Sequence, residues 1–382
     1  MLITNLTIET MSAAGLLRGG WILIENGKIT DIGDGELPGY DGEIFNGEGL
    51  TAYPGFIDAH THLGIVEDSL DFEGDDCNED SDPITPHVRA LDGINPLDRC
   101  FSEARLAGIT CVAVAPGSAN PIGGQVCVIK TAGKRVDKMV IKAPAAIKFA
   151  LGENPKNTYH SKNSSPVTRM ATAALMRENL AKAKRYSDDL ARSENDDEID
   201  PPEYDIKLEA LLPLLRGEIS AHFHAHRADD IFTAIRISEE FGIGYVIVHG
   251  TEGHLIADEL CNVPVIAGPN LCDRSKPELR EQTFKNPAAL MTSGALVALT
   301  TDHPVSPLNF LPICAAMAKK EGLSRTAALE ALTINPARIL GIDSRVGSLE
   351  AHKDADIVLV RGDVLSIDHT VEAVFINGEK IK

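Results

Sequence analysis

Between Pro54 and about Leu340 the chain repeats one pattern, a short apolar run followed by an amphipathic helical stretch. The runs are Gly55–His60, Ile109–Ala115, Ala145–Leu151, Ile219–His226, Gly244–His249, Val263–Ala267 and Ala295–Thr300. Short continuous apolar runs suit strands buried on both faces, as in a parallel sheet covered by helices. Met170–Arg192 reads as helix, with Leu175, Leu180, Ala183, Tyr186 and Leu190 apolar between charges, and Asp230–Phe241 reads likewise through Ile231 and Ile235. Strand–helix alternation on this scale predicts a (β/α)₈ TIM-type barrel over residues 54–344, a fold that typically takes about 250 residues. Seven strands are clear. The eighth is expected in the poorly patterned stretch 191–218, unless a hairpin-like insertion over Val126–Val140 confuses the count.

The two chain ends differ from this middle and resemble each other. Leu2–Glu9, Trp21–Glu25 and Lys28–Ile32 are β-like, with Asn26-Gly27 between the last two. Near the other end, Asp356–Val360, Val371–Ile376 and Glu379–Ile381 are β-like, with Asn377-Gly378 as the turn. Asn-Gly between alternating apolar residues is a hairpin cue. Short strands need partners to bury a face, so residues 1–53 and 345–382 are expected to join in one small composite β-sandwich domain.

Charge narrows the partners. A formal net charge of −20 gives no basic field to attract phosphates, which argues against nucleic acid and anionic membranes. Much of that charge lies in Glu67–Asp82 and Asp188–Asp205, expected to be solvated loops. The seven cysteines form no C-x-x-C pair, and Cys111 and Cys127 lie in apolar strand-like runs as expected buried thiols. With no basic leader and no membrane-length apolar run, the expected setting is a reducing cytoplasm. A small-molecule substrate is expected, and association into a homo-oligomer is left open.

Histidines gather where the strands end. His60 and His62 close one run, His222, His224 and His226 lie along another, His249 ends a third, and Asp302-His303 follow a fourth. In a barrel, the C-terminal strand ends meet at one mouth, where active sites are built. Side chains at i and i+2 share a strand face, so His60 and His62 can grip one ion. A lone H-x-H is weak, but four strand ends supplying imidazole or carboxylate make a metal centre. Such donors suit zinc, iron, manganese or nickel better than calcium.

Pro54-Gly-Phe-Ile-Asp-Ala-His-Thr-His62 resembles the first-strand motif of the amidohydrolase superfamily. The likeness extends over Lys148–Lys156, His224-Ala-His-Arg-Ala-Asp-Asp230, Val248-His-Gly-Thr-Glu252 and Thr300-Thr-Asp-His-Pro304, and is greatest to the imidazolonepropionase-like branch. It implies His60, His62, His249 and Asp302 as metal ligands, with Asp302 also the catalytic proton shuttle. His224 is implied as the ligand of the preceding strand, with His222 and His226 as competitors. For the middle strand, where relatives use glutamate or carboxylated lysine, Glu153 is favoured over Lys148. One or two divalent transition ions are implied, zinc foremost.

The implied reaction is hydrolysis of a C–N amide bond, in a cyclic amide, an N-acyl amino acid or a dipeptide, by metal-activated water. Hydrolytic deamination of a ring amidine is the alternative. A non-catalytic binding relative should have lost ligands, and this set is complete. Asp58 is read as either a carboxylate orienting an imidazole or an ordinary strand-end aspartate. Substrate contacts are expected from His87, Gln125, His226, Arg227 and Lys276, Arg227 as a carboxylate partner.

Overall fold

A computed structural model describes residues 1–382 and contains two eight-stranded sheets. The first is built from the chain ends: β1 (Leu2–Glu9), β2 (Leu16–Glu25), β3 (Lys28–Gly33), β4 (Ile44–Asn46) and β5 (Thr51–Pro54), with β14 (Ile357–Arg361), β15 (Thr370–Ile376) and β16 (Glu379–Lys380). Its order is β16-β15-β14-β5-β1-β2-β3, with β4 also paired to β1. The two β-rich ends therefore meet in one hydrogen-bonded sheet, over a core that includes Ile3, Leu6, Ile22, Leu359 and Phe375. Both Asn-Gly turns take positive φ at both residues, 50° and 78° at Asn26-Gly27 and 50° and 75° at Asn377-Gly378. That is the turn whose twist matches flanking antiparallel strands.

The second sheet is the barrel. Its strands are β6 (Phe56–Thr61), β7 (Ile109–Val114), β8 (Ile122–Lys130), β9 (Val140–Ala150), β10 (Ser220–Ala225), β11 (Tyr245–His249), β12 (Pro264–Ala267) and β13 (Leu296–Leu299), neighbours in chain order. All seven strands read from the sequence are present. The eighth is the hairpin-like stretch itself, since β8 lies antiparallel to both β7 and β9. Stretch 191–218 instead holds the end of the long helix Arg169–Asn195 and two short helices. The barrel is thus TIM-type with one reversed strand.

No ladder joins β13 to β6. The seam is closed by Thr301, whose backbone N–H and hydroxyl donate to Asp58 Oδ2 at 3.0 and 2.6 Å. Thr300 Oγ1 donates to the His60 carbonyl at 2.5 Å, and His62 N–H donates to the His303 carbonyl at 2.8 Å. Alternate strand residues divide between two apolar layers. Phe56, Val112, Ile147, Phe223 and Val297 pack with helix residues such as Leu180, Ile231 and Leu290. Ile57, Ala113, Val126, Ala146, Val248 and Ala298 form the other layer. Cys111 and Cys127 are buried, and all seven cysteines are free. No helix is long and apolar enough to cross a membrane.

Candidate metal centre

The strand ends deliver a connected group of imidazoles, with His60 beside His62 and His249 (ring centroids 5.3 and 5.6 Å). His249 lies 4.5 Å from both His224 and His226. Two sets of ligand atoms lie within 4.8 Å of one another, His60–His249–Asp302 and His224–His226–His249. Asp302 Oδ1 stands 3.4 Å from the Nε2 atoms of both His60 and His62.

Four of the rings are oriented from behind, and His60 Nδ1 has no partner. His62 Nδ1 bonds the Ala115 carbonyl at 2.8 Å, and His249 Nδ1 bonds the Gly268 carbonyl at 2.7 Å. His224 Nδ1 meets Ser118 Oγ at 2.9 Å, and His226 Nδ1 meets Thr251 Oγ1 at 2.7 Å. Fixing one ring nitrogen in this way aims the other. Burial, and then the field of neighbouring groups, led by Lys148 at His60 and by His249 at His224 and His226, holds these three rings well below the ordinary imidazole range. That shift favours the neutral form, which binds metals. Burial works against ionisation of Asp302, but His249, His62 and Lys148 outweigh it and keep its carboxyl low.

A divalent ion fits these donors. Ligand atoms about 2.1 Å from an ion at tetrahedral angles lie about 3.4 Å apart, which is the separation of Asp302 Oδ1 from both first-strand rings. His226 Nε2 and Asp302 Oδ1 are buried without a hydrogen-bond partner, a cost that a cation would remove.

Several expected residues lie elsewhere. Glu153 begins the helix Glu153–Ser161, belongs to neither ligand set, and donates its backbone N–H to Glu278 Oε2 at 3.1 Å. Lys148 lies beside the rings: it is fully buried, with Nζ 3.0 Å from His60 Nε2. Burial lowers its ammonium to about 8. The strand runs on to Ala150 and turns at Gly152, so a residue past the turn is carried away from the rings. Asp58 bonds no imidazole; the register slips between Asp58 and Thr61, so simple alternation from His60 fails there. Its carboxyl, which burial pushes up to about 6, serves the seam.

Among the substrate candidates, Arg227 is half-exposed and bound bidentately to Asp229 at 2.9 and 3.0 Å, which engages its fork. Gln125 lines a small cavity of about 110 Å³ with Arg89, Leu91, Cys127, Ala143 and Pro144, apart from the rings. His87 is half-buried and in neither ligand set. His226 and Lys276 are at the centre, Lys276 Nζ lying 2.9 Å from Glu278 Oε1 and 3.2 Å from Asn154 Oδ1. His222 sits below, level with Lys148 in the β9–β10 register, and neither of its ring nitrogens has a partner. Sequence reading missed Glu278, a buried carboxylate in a short turn after β12, where a glutamate ordinarily reads as solvated.

A barrel whose strand ends carry such a cluster is suited to metal-dependent hydrolysis. The model of the amidohydrolase family matches residues 51–381, and the chain belongs to that family. An amidohydrolase from Thermotoga maritima MSB8 superposes with a TM-score of 0.96 at 42% identity, covering 100% of this chain and 99% of that one. The chain is 30% identical to amidohydrolase tasK of Hapsidospora irregularis over 94% of its own length, and spans 39% of that longer protein. It is 24% identical to the imidazolonepropionase of Symbiobacterium thermophilum, covering 92% of this chain and 86% of that protein.

Proposed function

We propose that the chain hydrolyses the C–N amide bond of a small molecule, either a cyclic amide, an N-acyl amino acid or a dipeptide. The similarity to a protein named imidazolonepropionase puts the cyclic amide first. The observation that carries this reading is the placement of Asp302 Oδ1 equally close to His60 and His62 Nε2, with His249 alongside.

In this reading His60, His62, His224, His249 and Asp302 hold one or two divalent transition ions, zinc foremost, with Lys148 rather than Glu153 as the middle-strand partner. Carboxylation of the Lys148 amine would convert it from a cation into an oxygen ligand. When bound, the ion supplies an acidified water and an electrophile for the scissile carbonyl. Asp302 accepts the proton of the attacking water and returns it to the departing nitrogen, so that a neutral amine leaves as the C–N bond breaks. Ser118, Thr251 and the Gly268 carbonyl keep the rings aimed throughout.

The test is a screen of zinc- or manganese-loaded protein against cyclic amides, N-acyl amino acids and dipeptides, with ammonia release followed in parallel on ring amidines. Turnover of an amide without free ammonia supports the reading. Ammonia from an amidine with no amide turnover overturns it in favour of deamination.

A further inference from the structure

The helix Leu311–Lys320, which follows the last barrel strand, is only half covered by its own chain. Leu311, Pro312, Cys314, Ala315 and Ala318 are buried on one side. Ile313, Ala316, Met317 and Lys320 fall at positions i, i+3, i+4 and i+7 and so share a second face, which stays partly or fully exposed. Beside it runs the connection from β14 to β15, where Val364 and Leu365 are buried but Ile367 is 88% exposed. Helix and connection together enclose a mostly apolar groove of about 420 Å³, with Ile367 in its wall. A large apolar side chain held out in water beside an apolar groove marks a contact surface.

Charge is divided between the two walls. The helix carries Lys319 and Lys320, and the connection carries Asp363 and Asp368. Lys319 and Asp363 pair at 3.6 Å, while Lys320 and Asp368 reach out to solvent. Two cations and two carboxylates balance locally in a chain whose formal net charge is −20. Here two copies can meet without adding to their mutual repulsion. A protruding residue, a groove and both signs of charge on one surface are what a two-fold contact between identical surfaces requires. A foreign partner would need only one half of such a set.

We propose that a second copy of the chain docks on this surface about a two-fold axis, Ile367 of each copy entering the groove of the other. Asp368, the next residue, is thereby carried to the helix wall of the other copy, where Lys320 ends the exposed face. The groove is larger than one isoleucine side chain, so it receives the tip of the connection as well. The contact joins a barrel helix to the end sheet of the same chain and shares no residue with the candidate metal ligands.

The experiment is sedimentation equilibrium on the full chain over a range of concentrations, with light scattering beside it. Wild type is expected as a dimer in reversible exchange with monomer. Ile367→Asp should weaken the dimer at least about 100-fold, because the contact loses its anchor twice. Lys320→Asp and Asp368→Lys should each weaken it about tenfold, since either change sets like charges against each other in both halves of the contact. An equimolar mixture of those two variants should recover the wild-type affinity as a heterodimer, in which one pair is native, the other is reversed and both attract. All three positions are exposed, so the fold should persist, which circular dichroism checks. A wild type that is monomeric at every concentration overturns the proposal. A dimer indifferent to Ile367→Asp uses another surface and overturns it as well. A dimer lost in Ile367→Asp, whose charge variants do not recover on mixing, overturns the two-fold arrangement.

Discussion

Asp302 takes a left-handed backbone, φ 52°, and His249 another, φ 75°. Such conformations cost a non-glycine residue of order 1–3 kcal/mol and persist only where the surroundings hold them. At Asp302 the holders are Thr300 Oγ1, which accepts its N–H at 3.0 Å, and Asp58, which ties Thr301 to the first strand. Asp302→Asn is expected to keep the fold and much of the metal while turnover falls about 10²- to 10⁴-fold. Elemental analysis beside single-turnover kinetics checks this, and near-normal rates would remove Asp302 from the mechanism. Asp58→Ala should strand the buried Thr301 donors at about 1–3 kcal/mol each, visible as a lower melting temperature together with lost activity. Most of this was legible, because residues that end apolar strands must point into the mouth. The sequence does not rank Glu153 against Lys148 by position, because a strand's last inward residue cannot be told from the first residue of the next turn without its register. Glu278 left no trace, since nothing in a Lys-Pro-Glu turn announces that its carboxylate is buried.

The seven parallel strands were readable as apolar runs, and the Asn-Gly hairpins by their turn residues. Strand β8 was not, because turn signals followed by an apolar run read the same for an excursion from a barrel as for a member of its wall. Its membership depends on partners far along the chain, the ladders to β7 and β9. At the other side of the mouth, Gly268 follows β12 with φ +136°, and a Cβ there would collide with the Thr300 backbone carbonyl. Backbone cannot swing aside, and the same glycine's carbonyl aims His249. Gly268→Ala should therefore separate the ends of β12 and β13 and weaken metal binding more than it lowers overall helicity. Unchanged metal affinity in this variant would show that the seam yields more easily than its contacts imply.

Across the whole molecule, barrel and end sheet are locked by charge. Lys130, the last residue of β8, is buried with Nζ 2.6 Å from Asp356 and 3.1 Å from Asp354, and Asp354 also binds Lys28 and Arg345 at 2.5 and 2.8 Å. Burial opposes the Lys130 charge, but Asp356, Cys111 and Asp354 raise it above the ordinary range. Burial likewise opposes ionisation of Asp354, yet Lys130, Lys28 and Arg345 hold it low. The raised lysine stabilises fully below its unfolded value, about 10.4, and ceases to as pH climbs past its folded one. The lowered aspartate stabilises above about 3.9 and ceases to as pH falls past its folded value. Melting temperature should thus sag at both extremes. Lys130→Met should lose about 3–5 kcal/mol in between and show a flatter alkaline limb, and an unaltered limb would exclude the joint as its source. A single residue, Gly55, separates β5 of the end sheet from β6 of the barrel, and its N–H is bonded to the Asp356 carbonyl at 2.9 Å. The ligand-bearing strand consequently has no slack at its root. Amide protons from Ile57 to Thr61 should exchange only when the entire molecule opens, so the placement of the His60 ring is as durable as the fold.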